Sequence, residues 1–271
     1  MKKIKAILSD FNGTLVDRDE NFTPRTKFFI DKIKKKGIRF SIVTGRLYPG
    51  KVKEVETKLG IKGIHILHGG AKILDTKKNE TLFYKPISPE SVEKISKYMV
   101  DNKIYFALET EKEVFMSPVA ARVSYLKNVV LKNLDQYDSR EDVLKLLVSA
   151  QLNQFSEAKL DYHMTNIKQF AKDIEIIKFD FNGIFGVDVT SERATKHTAV
   201  LEYLKILDFD KEEVVGIGDD YNDYPLFTAV GFKIAMSNGP KVLKELSDLV
   251  VPRIEEGGME EALKYVLDNL V

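Results

Sequence analysis

The sequence predicts an α/β protein, a doubly wound and largely parallel core sheet with an inserted α+β cap. Three features lead there. Short apolar runs alternate with helical stretches from Ile4 to Gly70; the alternation lapses from about Lys85; and it resumes at Lys196.

Ile4 to Leu8 is a buried strand that ends at a carboxylate, Asp10. Pro24 opens a helix to about Lys36, with Thr23 as N-cap, Lys34-Lys35-Lys36 in the last turn and Gly37 beyond it. Arg39 to Val43 is a second strand, Leu47 to Leu59 a helix stopped by Gly60, and Ile64 to Leu67 a third strand. In the insertion, Ser88 to Asn102 reads as a helix, followed by paired strands at Ile104 to Leu108 and Val114 to Met116. Pro118 to Asn128 and Arg140 to Leu147 read as helices, Leu147 to Leu152 as strand-like and Glu157 to Ala171 as helical. Ile174 to Phe181 and Ile184 to Val189 form a hairpin around Asn182-Gly183. The parallel pattern returns with helix Lys196 to Leu207, strand Val214 to Ile217, helix Asn222 to Val230 and strand Phe232 to Ala235. Helices at Pro240 to Leu246 and Met259 to Leu270 flank a short strand at Leu249 to Val251. The expected division is a core of 1–84 and 188–271 and a cap of 85–187.

Composition narrows the function. Lys and Arg number 42 against 41 Asp and Glu, so there is no electrostatic footprint for nucleic acid or an anionic membrane. Cysteine is absent, which removes disulfides and thiolate metal sites. No apolar run reaches spanning length, and Met1 to Lys5 is followed by too short an apolar stretch for export, so a cytoplasmic location is expected. Nothing in the sequence fixes the oligomeric state.

The chemistry gathers at strand ends. In an open parallel sheet, ligands sit outside the carboxyl ends of the strands. Asp10, Thr44 and Asp219 each follow a strand there, and Lys196 opens the helix that leaves the cap. Carboxylates suit a hard cation such as Mg²⁺; a hydroxyl and an ammonium suit phosphoryl oxygens. Taken singly, Asn12-Gly13 reads equally well as a turn, Thr44 as a strand end, Lys196 as a solvated lysine and Asp219-Asp220 as a helix start. Taken in order, they form a set.

That set resembles the haloacid dehalogenase superfamily, and within it the Cof-like sugar-phosphate phosphatases with the second type of cap. The resemblance spans the chain: Asp10-Phe11-Asn12-Gly13-Thr14-Leu15, Val43-Thr44-Gly45-Arg46, Lys196, and Gly216-Ile217-Gly218-Asp219-Asp220-Tyr221-Asn222-Asp223, followed by Ala235-Met236-Ser237-Asn238-Gly239. It implies a Rossmann-like core and an Asp10 nucleophile that forms an aspartyl-phosphate. It further implies Mg²⁺ on Asp10, Asp219 and the Asn12 carbonyl, with support from Asp223. Thr44, Gly45, Arg46 and Lys196 would grip the phosphoryl group of a small phosphorylated metabolite, with Asn222 and Asn238 around them.

One position departs from the pattern. The family's phosphatases carry a second aspartate two residues after the nucleophile, as general acid and base; here it is Asn12. Its loss costs roughly 10²- to 10⁴-fold in rate. Three readings stay open: a slow phosphohydrolase, a phosphate-ester-binding or regulatory protein on the same scaffold, or an introduced replacement that traps substrate. Asp17, Asp19 and Glu20 are exposed flap charges in this reading, with one of them a candidate to substitute for the missing acid.

Overall fold

The computed structural model describes residues 3–116, 129–181 and 184–271. In chain order the elements are β1 (Ala6–Ser9), α1 (Pro24–Lys35), β2 (Arg39–Ile42), α2 (Lys51–Leu59), β3 (Ile64–Leu67), β4 (Lys72–Asp75) and β5 (Glu80–Tyr84). Next come α3 (Pro89–Asp101), β6 (Ala107–Glu109), β7 (Glu113–Met116), β8 (Val130–Asn133), β9 (Lys145–Ser149), α4 (Ala150–Asn153), α5 (Glu157–Phe170), β10 (Ile174–Phe181) and β11 (Ile184–Ser191). The chain closes with α6 (Lys196–Leu207), β12 (Val214–Gly218), α7 (Tyr224–Phe227), β13 (Phe232–Met236), α8 (Lys241–Leu246), β14 (Leu249–Val251) and α9 (Gly258–Asn269).

The core sheet runs β14-β13-β12-β1-β2, with every pairing parallel. All four residues of β1 are buried, as a strand covered on both faces requires. One face packs against α1, α2 and α9 through Ile30, Ile33, Val55, Leu59, Leu263 and Val266. The other packs against α6, α7 and α8 through Ala199, Tyr203, Leu226 and Leu243. Each fully buried aliphatic side chain contributes roughly 1.5–3 kcal/mol. Local signals agree with this packing: Thr23 Oγ1 accepts from the Thr26 N–H at 3.0 Å, Pro24 sits in the first turn of α1, and Phe29, Ile30 and Ile33 face inward.

A second sheet, β3-β4-β5, is antiparallel and joins the core through a parallel bridge between Val43 and Ile66. The third strand of the sequence reading therefore continues the parallel order by one bridge and then turns back on itself.

The inserted sheet runs β10-β11-β9-β6-β7-β8 and is mixed, because β7 and β8 pair in parallel. Helices α3 and α5 cover one face of it through Ile95, Met99, Leu160 and Ile167. The helix expected over Arg140 to Leu147 is not formed. Arg140 turns back on Asp138, and β9 begins at Lys145, paired on both sides with β6 and β11. Val143-Leu144-Lys145-Leu146-Leu147-Val148 is apolar enough to suit either state, and a central strand position satisfies its backbone on both edges. The stretch after Asp219 is a 3₁₀ turn at Tyr221–Asp223 leading into the short α7, and α2 starts at Lys51, after Gly50. The helix expected over 118–128 and the turn at Asn182-Gly183 lie outside the described residues.

Gly70 ties the sheets to the site. Its φ is +114°, and a Cβ there would stand 2.2 Å from the carbonyl oxygen of Thr195, the residue that caps α6. Gly70→Ala is therefore expected to combine backbone strain with a clash and to lower stability by about 1–3 kcal/mol. Chemical denaturation measures this directly; an unchanged midpoint would mean that the approach of the Gly70 turn to α6 is not a tight one.

Candidate active site

The order β12-β1-β2 makes β1 the strand at which the winding direction changes, and the crevice at its carboxyl end is where an open α/β sheet receives ligands. Asp10 follows β1 and is buried, its N–H donating to the Ile217 carbonyl at 2.9 Å. Lys196 is the first residue of α6 and is 2% exposed. Its Nζ donates at 2.6 Å to Asp10 Oδ1 and at 2.6 Å to Asp223 Oδ1, with Asn222 Oδ1 at 3.4 Å. The second oxygen of Asp223 accepts the N–H groups of Asp219 and Asp220 at 2.9 and 3.1 Å. Asp223 thus orders the turn after β12 through one oxygen and pairs with Lys196 through the other.

Asp219 faces Asp10 from the neighbouring strand. Its Oδ1 accepts from the Thr14 hydroxyl at 2.6 Å, and Asn238 Nδ2 lies 3.4 Å from Oδ2. Gly13, at φ +79°, leaves room for it, since a Cβ there would meet Asp219 Oδ2 at 2.2 Å. One ligand atom from each of Asp10, Asp219 and Asp223 lies within 4.8 Å of the others, a spacing that fits one cation.

The electrostatics fit a cation too. Burial and then the Asp223 charge push the Asp10 carboxyl up to about 7, against the pull of Lys196. Burial, followed by Asp10 and Asp223, raises Asp219 well above the usual carboxylate range. Burial works against the Lys196 ammonium, but the carboxylates beside it outweigh burial and hold it charged. Two acids facing one another at this spacing resist joint ionisation, and a divalent cation removes that resistance.

The remaining sequence candidates form a second group. Thr44 is buried at the end of β2; its Oγ1 accepts the Arg46 N–H at 3.2 Å. Arg46 Nε donates to Asn12 Oδ1 at 2.6 Å, and an Nη reaches Glu20 Oε1 at 2.6 Å. An arginine N–H has no other atom of the amide to donate to, which fixes the orientation of Asn12. Its Nδ2 is buried and makes no hydrogen bond among the described residues. Glu20 is therefore tied to the Asn12 edge through Arg46 rather than solvated, while among the described residues no hydrogen bond links Thr44 to the carboxylate group.

Sequence reasoning missed three features. Asp220, raised to about 6 mainly by burial, accepts the Asp180 N–H at 2.9 Å, so the end of β10 rests on the turn after β12. Lys145 and Asp188, from β9 and β11, stand against Gly45. Their signal was present as lone charges inside apolar strands, Leu144-Lys145-Leu146 and Val187-Asp188-Val189. A cleft of about 420 Å³ opens beside Asp219, bordered by Gly13, Arg18, Asp180, Tyr221 and Arg253, and a small metabolite fits that space.

A family model for haloacid dehalogenase-like hydrolases matches residues 7–263. The chain is 26% identical over 271 residues to phosphoglycolate phosphatase 1 of Saccharolobus solfataricus, covering 97% of this chain and 96% of that protein. It is 23% identical over 294 residues to phosphatase YwpJ of Bacillus subtilis, covering 97% and 100%. Among solved structures, a subclass IIB sugar phosphatase, BT4131, superposes with a TM-score of 0.79 at 19% identity, covering 96% of this chain and 98% of that one. A Cof-like hydrolase from Plasmodium vivax superposes with a TM-score of 0.83 at 21% identity, covering 98% and 96%. No described helix is long and apolar enough to cross a membrane.

The pKa directions set a test. Asp10 and Asp219 hold protons more tightly folded than unfolded, so their contribution to stability is present at low pH and lost as pH rises, for Asp10 from about 4 through about 7. A divalent cation offsets that loss only where the carboxylates are ionised. At pH 8, Mg²⁺ at 100 times its dissociation constant should raise the melting temperature by roughly 5 °C, and at pH 5 by less than about 1 °C. Differential scanning calorimetry compares the two; Asp219→Asn should abolish the pH 8 shift.

Proposed function

From a chain that belongs to the haloacid dehalogenase-like hydrolases and is a phosphatase by that membership, we infer a Mg²⁺-dependent phosphohydrolase acting on a small phosphorylated metabolite, a sugar phosphate or similar ester, through an aspartyl-phosphate. The observation that carries this reading is the shared ammonium: Lys196 binds one oxygen of Asp10 and one of Asp223, with Asp219 alongside. That leaves the second oxygen of Asp10 to act.

Asp10 attacks phosphorus in line, the bond to the leaving oxygen breaks, and a mixed anhydride forms on Asp10. Lys196 and the Thr44 hydroxyl neutralise and hold the phosphoryl oxygens, and Gly45 and Arg46 shape the loop around them. Asp10, Asp219 and the Asn12 carbonyl are the residues to hold Mg²⁺, with Asp223 ordering the turn; when bound there the ion supplies charge neutralisation at phosphorus. Water then attacks phosphorus and releases phosphate and the free Asp10 carboxylate.

Asn12 limits both halves. Its Nδ2 has a hydrogen bond to give, so it stabilises a departing oxygen, but it has no proton to release and none to take. Esters with good leaving groups should therefore phosphorylate Asp10 readily, and the hydrolysis of the anhydride should be slow. The alternative, a binding or regulatory protein on the same scaffold, rests on this same residue.

Rapid mixing with p-nitrophenyl phosphate and Mg²⁺ separates the two. A burst of nitrophenol close to one per protein, followed by slow turnover, is expected. Asn12→Asp should raise the steady-state rate by about 10²-fold or more, most for sugar phosphates, and Asp10→Ala should remove burst and turnover together. No burst, no phospho-protein and no gain from Asn12→Asp would falsify the hydrolase reading in favour of the binding one.

A further inference from the structure

The loop Thr44–Arg46 presents three successive carbonyls, and each is held differently. The Thr44 carbonyl accepts the Gly69 N–H at 3.0 Å, and the Arg46 carbonyl accepts the His68 N–H at 3.0 Å. Both donors are backbone groups of the core. The middle carbonyl, that of Gly45, accepts at 2.6 Å from Lys145 Nζ, which reaches across from β9 of the cap. Gly45 has no side chain to limit its rotation. Its peptide unit ends in the Arg46 N–H, which donates to Thr44 Oγ1. A single rigid plane thus joins the cap lysine at one end to the phosphate-gripping hydroxyl at the other.

Lys145 is itself held in place. Glu109 Oε1 lies 3.2 Å and Asp188 Oδ1 3.3 Å from its Nζ, and the side chains of Lys145 and Glu109 are 4% and 2% exposed. Asp188 Oδ2 comes within 3.1 Å of where a Cβ would stand on Gly45, so the carboxylate rests on the loop as well. Burial disfavours the Lys145 charge, but Asp188 and Glu109 outweigh burial and hold it protonated. The arrangement is a costly one: a buried ion cluster seldom adds stability over apolar residues of the same size. Asp188 Oδ1 has only its long contact to Lys145, and Glu109 Oε2 only the buried His68 Nδ1 at 3.4 Å; neither oxygen makes a well-formed hydrogen bond. Stability alone gives no reason for the cluster, whereas its contact with Gly45 does.

We propose that Lys145 is a positioning residue for phosphoryl transfer: by fixing the Gly45 carbonyl it sets the Thr44 hydroxyl for the phosphoryl group, and it does so only while the cap is docked. The proposal rests on the phosphatase reading and adds to it the means by which cap closure completes the phosphate grip. Core residues pin the two ends of the loop at all times, and the cap supplies the middle.

The test separates positioning from packing. Lys145→Met alone leaves the two buried carboxylates without their lysine and lowers stability, so it is accompanied by the neutral set Lys145→Met, Glu109→Gln and Asp188→Asn, in which none of these three charges remains. Binding of inorganic phosphate in saturating Mg²⁺ is measured by titration calorimetry, beside thermal unfolding. The neutral set is expected to unfold near the native temperature yet bind phosphate about tenfold more weakly, the usual size of a lost orienting contact. Thr44→Val should weaken binding in the native protein and add little in the neutral set, because both changes disable the same hydroxyl. If the neutral set folds poorly, Lys145→Met measured below its own unfolding midpoint gives the same comparison with Thr44→Val. Native phosphate affinity in the neutral set, or full additivity with Thr44→Val, overturns the proposal and leaves the phosphatase reading intact. A native protein that binds no phosphate in Mg²⁺ overturns both.

Discussion

One buried ammonium sets the terms for the rest of the molecule. Lys196 Nζ lies between Asp10 and Asp223, almost out of contact with water. A charge so placed is tolerable only with its partners in hydrogen-bonding position, and those partners come from distant parts of the sequence. Asp10 requires β1 to end where it does, Asp223 requires the tight turn after β12, and Lys196 requires the chain to leave the cap as a helix whose first residue points at β1. The parallel order β12-β1-β2 meets all three demands at once. Asp219 then falls opposite Asp10, and Gly13 keeps the space between strand and turn clear. The fold and the site are one solution to the same electrostatic problem.

The cap meets this assembly at points on either side of the crevice. On one side β10 gives its Asp180 N–H to Asp220; on the other Lys145 and Asp188 rest on Gly45. Leu47 of the core also packs with Ala107, Val114, Met116 and Leu147 of β6, β7 and β9 in the cap sheet. Apolar contact supplies the attraction and polar contact supplies the register. Both loops that the cap touches carry residues of the site, so the docked position of the cap and the shape of the crevice are not independent.

The parallel core was legible because its strands are covered on both faces and therefore read as unbroken apolar runs ending in polar residues. Asp10, Thr44, Asp219 and Lys196 could be placed on strand and helix ends from that pattern, and Asp10, Asp219, Asp223 and Lys196 do converge. The cap was harder. Residues 143–148 are apolar except for Lys145, so periodicity carried little information, and pairing with two neighbouring strands settles their state. Glu20 was read as solvated because nothing local ties it to Arg46, a contact that depends on how the flap folds back. Lys145 and Asp188 stand as isolated charges in the sequence and Glu109 in a charged stretch with Glu111 and Lys112, and their meeting is a property of sheet order rather than of sequence spacing. What the sequence hid was long-range pairing between unlike segments.

The ionic seam under Gly45 has a thermal consequence. Separating the cap from the core there would return Lys145, Glu109 and Asp188 to water, and docking strips that hydration away again. Hydration of charged groups carries a strongly negative entropy, so its loss becomes less costly as temperature rises. An apolar seam of the same area would behave differently, its strength levelling off with heat. The ionic part of the contact between cap and core is therefore one whose desolvation cost falls on warming, as the solvent's hold on ions weakens.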